Sequence, residues 1–138
     1  MSDSLLAVGE RIWREAGAPP IEPLPPIMPI AREFAATDVD NKDMRVAAPH
    51  TPELLMILAH ELGHIVTTPS SDAYDRAPVQ SEFNATEWGI KALRRAGFEP
   101  TKAMQTAARK ALHTYTHRFG LKGDETPPLL NFLKGGEL

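Results

Sequence analysis

An almost unbroken apolar run, LLMILAHELGHIV from Leu54 to Val66, constrains this chain more than any other feature, because so apolar a stretch calls for burial and takes two histidines and a glutamate with it. Thr51 supplies an N-cap hydroxyl, Pro52 and Glu53 suit a first helical turn, and the TTPSS after Val66 breaks the pattern. The spacing therefore predicts a helix from Thr51 to about Val66. At 3.6 residues per turn, His60 and His64 share one face while Leu55, Leu58 and Leu62 share the opposite one. One side can anchor in a core while the other offers two imidazoles to a common ligand.

The remaining composition narrows what that ligand can be. A chain of 138 residues fits a single domain, residues 1–138, with one core. Its 15 basic and 18 acidic residues are scattered and leave a formal charge of -3, so it carries no broad positive field for a nucleic-acid backbone. The absence of cysteine removes disulfides, thiolate metal sites and thiol nucleophiles together, and any metal must sit on His, Asp or Glu. The opening MSDSLLAVGERIW lacks the basic start and long apolar centre of a signal peptide, and no run reaches membrane-spanning length. The expectation is a soluble protein of the cytoplasm.

Around the motif helix the chain reads as alternating helical and extended segments. Leu5, Val8 and Ile12 recur at helical spacing from Ser4 to Ala16, and Gly17 with Pro19 and Pro20 ends that helix. Residues 18–29, APPIEPLPPIMP, hold six of the thirteen prolines and can form neither a helix interior nor a central strand, so they read as a stiff strap. IAREFAA and MRVAA flank the polar TDVDNKD and predict two short strands joined by a hairpin. Asp38, Asp40 and Asp43 hint at calcium, but Lys42 and the missing glycine exclude an EF-hand loop, and a solvated turn is the reading. Further helices are expected over roughly 79–96, with Gly97 as a left-handed terminator, and from about Thr101 to Gly120. Residues 121–138 have no clear period and read as an irregular tail.

Two histidines four apart with glutamate after the first form the HExxH arrangement, in which the imidazoles bind Zn2+ and the glutamate acts as a general base on water. The assignment here is His60 and His64 as ligands and Glu61 as base. A catalytic zinc takes a third protein ligand. Asp72 and Asp75 lie in a segment that reads as a loop, where acids are normally solvated. Glu82 and Glu87 lie on the next helix, a net 140° apart at 100° per residue, so only one of them can face the ion. Glu87 has Lys91 at i+4 for a surface ion pair, whereas Glu82 is followed by small Ala85, which permits close helix packing; Glu82 is the better ligand. An oxyanion also needs a donor, for which Tyr115, His113 and Tyr74 are the candidates. His113 and His117 form a second i, i+4 pair, but no acid lies between them and Arg109 stands one turn earlier, so they read as a solvent-facing stripe.

LAHELGHIV followed by SEFNATEWGIKAL resembles the ImmA/IrrE-type metallopeptidase family, whose pattern is HExxH and then, on the next helix, E-x-x-A with an aromatic three residues later. Those positions are His60, Glu61, His64, Glu82, Ala85 and Trp88, and the similarity spans about residues 27–97. The residue after that alanine, commonly Asn or Asp in the family, is Thr86 here, and ALRRAGFEP replaces the usual apolar ending. The resemblance implies an α+β fold, a minimal zincin with a small twisted sheet packed on the motif helix. It also implies a cytosolic protease acting on repressor-type transcription factors. An exposed edge at Met44 to Ala48 would offer an extended peptide backbone partners, with the strap or the C-terminal tail as a self-inhibiting occupant. Two other readings stay open: a zincin-fold module that grips a regulatory protein without cleaving it, and a metal-dependent hydrolase of a non-peptide substrate.

Overall fold

A computed structural model describes residues 4–17, 36–40, 43–46 and 49–138. Helix α1 (Leu5–Ala16) is capped by Ser4, whose hydroxyl accepts from the Ala7 N–H, and ends at Gly17 in the left-handed conformation. Strands β1 (Ala36–Asp38) and β2 (Asp43–Arg45) pair antiparallel, with Thr37 opposite Met44. Helix α2 (Pro52–Thr67) carries the motif, and the Thr51 hydroxyl accepts from Leu54 N–H at its start. Short α3 (Ser71–Arg76) leads into α4 (Pro78–Arg95), then α5 (Lys102–Phe119) and α6 (Pro127–Leu133).

The α2–α4 pair is the most extensive contact between any two elements, and glycine makes it possible. A Cβ on Gly63 would collide with the Ala85 backbone, and one on Gly89 would lie 2.9 Å from the Ala59 carbonyl. Two antiparallel helices thus meet backbone to backbone at Gly63–Ala85 and Ala59–Gly89. Leu55, Leu58 and Leu62 are fully buried and pack with Ile12 of α1 and Leu93 of α4, so the face predicted to anchor α2 does so. A second cluster joins Val79 and Phe83 of α4, Leu112 of α5, and Leu129 and Phe132 of α6.

Three expectations are corrected. The α+β architecture with a twisted sheet on the motif helix is not formed: the fold is helical, and among the described residues the only sheet is the three-residue pair β1–β2. The extended segments are too short to make a layer, and the motif helix buries its apolar face on α1 and α4 instead. The 121–138 tail is not irregular throughout, since α6 starts on Pro127 and Pro128 and buries Leu129 and Phe132 at i, i+3, too few turns to reveal a period. Arg109 fixes it by donating to the Phe132 and Gly136 carbonyls, each at 2.7 Å, so the tail is occupied as core rather than as a plug on a strand edge. The segment SDAYDR, expected as loop, is α3. Asp40 is exposed in a turn, as expected, and accepts from the Ser71 N–H at 2.9 Å and the Ser71 hydroxyl at 2.7 Å, fastening the hairpin to α3. The proline-rich strap of residues 18–29 lies outside the described residues, as do 47 and 48 of the expected substrate edge. No helix among the described residues is long and apolar enough to cross a membrane.

Candidate metal centre

The antiparallel α2–α4 contact decides which acid meets the histidines. It brings Glu82 beside His64 and Thr86 beside His60, and Glu82 Oε1 accepts from Nε2 of His60 at 2.8 Å and from Nε2 of His64 at 3.0 Å. His60, His64 and Glu82 are the metal-type cluster among the described residues, with ligand atoms within 4.8 Å of one another. His64 and Glu82 are buried; His60 opens to the cavity described below. Glu87 points elsewhere and pairs with Lys91 at 3.6 Å, as the 140° separation requires. Asp72 and Asp75 are exposed on α3 and stand outside the cluster.

Each histidine is also held from behind. Nδ1 of His60 bonds the Thr86 hydroxyl at 2.9 Å, and Nδ1 of His64 bonds the Thr68 hydroxyl at 3.1 Å. These contacts leave Nε2 of both rings aimed at one point, with the ring centroids 4.7 Å apart. Glu82 Oε2 accepts from the Tyr74 hydroxyl at 2.5 Å. Sequence reasoning missed both threonines, although the signal was present: Thr86 is four residues after Glu82 and Thr68 four after His64, each on the face of its own site residue. Thr37 was missed as well; its hydroxyl donates to Glu61 Oε2 from β1.

The electrostatics follow from this geometry. Burial works against the Glu82 carboxylate, but the bonds and charges of His60 and His64 outweigh it and hold the group well below the ordinary carboxylate range. Burial likewise opposes the His60 cation, yet the Glu82 hydrogen bond and the charges of Glu82 and Glu61 raise its pKa. The Tyr74 phenol is raised by burial and by its bond to Glu82.

The three expected oxyanion donors separate. Tyr115 lines a cavity of about 660 Å³ between α2 and α5 together with His60, Glu61 and Glu82. Burial and the charges of Glu82 and Glu61 push its phenol up to about 12, so it stays protonated in ordinary buffers. The Tyr74 proton is committed to Glu82, so this residue orients the carboxylate. His113 is exposed and donates from Nε2 to the Leu133 carbonyl at 3.1 Å, on the α6 side of α5.

The donor set fits zinc: two imidazole nitrogens and one carboxylate oxygen, each ring backed by a hydroxyl. A tetrahedral ion with bonds of about 2.0–2.1 Å needs its donors about 3.3 Å apart. The 2.8 and 3.0 Å from Glu82 Oε1 to the two rings therefore call for a few tenths of an ångström of spreading between carboxylate and imidazoles, and the ligand atoms all lie within 4.8 Å of one another. No family model, curated protein or solved structure matches this chain.

Proposed function

We propose that the protein is a zinc-dependent metallopeptidase that hydrolyses peptide bonds in a protein substrate. The observation that carries this reading is the convergence of His60 Nε2, His64 Nε2 and Glu82 Oε1 beside a cavity that His60 and Glu82 line together with Glu61 and Tyr115. His60, His64 and Glu82 hold the ion, and zinc, when bound, supplies Lewis acidity that brings the pKa of water toward about 7 and polarises a carbonyl.

The chain's own residues do the rest. Glu61, adjacent to His60 and lining the cavity, accepts the proton of the attacking water and returns it to the leaving amine. Tyr115 presents a protonated phenol from α5 and stabilises the oxyanion. Tyr74 holds Glu82 as an oriented carboxylate. A repressor-type regulator as substrate, and a cytoplasmic location to go with a cysteine-free chain, belong to this proposal and rest on the ImmA/IrrE resemblance.

The alternative, a module that grips a regulatory protein without cutting it, draws on one observation: the Thr37 hydroxyl already donates to Glu61 Oε2, so one oxygen of the expected base is engaged by the protein itself. The Glu61→Gln variant separates the two. For the peptidase, zinc content and melting temperature hold while hydrolysis of an unfolded protein such as casein falls by about 10²-fold or more. Equal hydrolysis by both forms contradicts the assignment of Glu61, and a zinc-loaded wild type that hydrolyses no protein favours the binding module.

A further inference from the structure

The cavity that contains the candidate centre extends well past it. Along α2 its lining runs from Glu53 through Met56 and Ile57 to His60 and Glu61, about 12 Å of helix at 1.5 Å per residue. Across from it, α5 contributes Met104, Leu112 and the small residues Ala107 and Ala111. Apart from Glu53 and Thr101, the part away from the ligands is apolar. A space of about 150 Å³ takes a benzene ring, so 660 Å³ has room for several side chains and far exceeds what an ion, a water and one carbonyl need.

We propose that this α2–α5 groove, rather than the β-hairpin edge, is the substrate platform, and that it selects an extended peptide with two bulky apolar side chains two positions apart. The inference deepens the peptidase reading and rests on it for the placement of the reacting bond. Twelve ångströms is the length of about four extended residues, and side chains two apart in an extended chain lie on one side about 6.6 Å from each other. Ala103, Ala107 and Ala111, each four residues from the next on α5, open gaps in the wall about 6 Å apart, and the two nearer to Tyr115 in the helix, Ala107 and Ala111, offer that spacing on the side of the ligands. Met56 and Met104 line the same groove with unbranched, adaptable side chains, so leucine, methionine and phenylalanine are all accepted while serine or a charged residue is not.

The test uses the full chain, zinc-loaded, with Glu61→Gln to prevent turnover, and two fluorescent decapeptides that differ only in carrying Leu or Ser at two positions, i and i+2. Fluorescence anisotropy is expected to show the Leu peptide binding at least about tenfold tighter. Ala107→Phe or Ala111→Phe, both at exposed positions that line the groove, should bring that ratio close to one with zinc content and helical circular dichroism unchanged. Thr106→Phe, which does not line the groove, should leave the ratio intact. Equal binding of the two peptides, no binding of either, or a preference that survives both filling variants overturns the proposal. Tighter binding of an N-dodecanoyl glycine probe than of the Leu peptide also overturns it, since the groove then takes a single acyl chain. The two readings fail separately: a preserved Leu preference with an inactive wild type removes the peptidase and keeps the groove, whereas equal cleavage and equal binding of both peptides removes the groove and keeps the peptidase.

Discussion

Threonine, unlike the asparagine or aspartate that the resemblance leads one to expect after Ala85, can act as donor or acceptor with one hydroxyl. That property suits His60, because Nδ1 accepts when the neutral ring donates from Nε2 to Glu82 and must donate when the ring is protonated or when Nε2 gives its lone pair to an ion. Thr86 serves both states at 2.9 Å, and Thr68 does the same for His64 at 3.1 Å. Replacing Thr86 by Val keeps the shape and removes the bond. Zinc affinity, measured by competition with a chelator, should then fall by about 10–100-fold, the usual scale for losing such support behind a ligand, with little change in helix content. An unchanged affinity would mean that the hydroxyl does not orient the ring. His60, Glu61, His64 and Glu82 were legible because the HExxH spacing and helical angles restrict which side chains can meet, and because Lys91 beside Glu87 and small Ala85 after Glu82 separated the two acids. The partner of Thr86 depends on the α2–α4 crossing and the role of Tyr74 on α3, neither of which has a sequence period of its own, whereas Thr68 stands one turn after His64 and its role was open to the same i, i+4 reasoning.

Helix packing sets the donors' positions, and the α2–α4 crossing is the element on which the site depends. Gly63 lies between the two histidines in sequence and against Ala85 in space, so a methyl group there must push the helices apart. Gly63→Ala is expected to destabilise the fold by about 1–3 kcal/mol, the range for overpacking a core. It should also weaken zinc binding, because His60 and His64 ride on one helix and Glu82 on the other. Calorimetry together with metal analysis checks this; full stability with full zinc content would show that the contact yields without cost. The motif helix was readable for the same reason that it is stable: its cap, its proline and its leucine face all point the same way. The hairpin was also readable, but its extension to a sheet was not warranted, since two three-residue strands offer little apolar surface to bury a layer.

For the molecule as a whole, folding and metal binding draw on the same groups and respond oppositely to pH. His60 has a pKa raised above 6.5, so the stability from its contact with Glu82 is fully present below that value and fades as pH rises through the higher folded value. Glu82, lowered from 4.5, contributes above that value and loses its contribution as pH falls toward its folded one. An ion must displace the proton from Nε2, so its stabilising effect grows with pH. The gap in melting temperature between zinc-loaded and chelator-treated protein should therefore widen from about pH 6 to about pH 8; a constant or shrinking gap would show that no histidine proton is exchanged for the metal. The measurement that reaches the central claim most directly is elemental analysis of three proteins purified alike: wild type, Glu82→Ala and Glu87→Ala. About one zinc per chain is expected in the wild type and in Glu87→Ala, and close to none in Glu82→Ala. Zinc retained in Glu82→Ala, or lost only in Glu87→Ala, would contradict that claim.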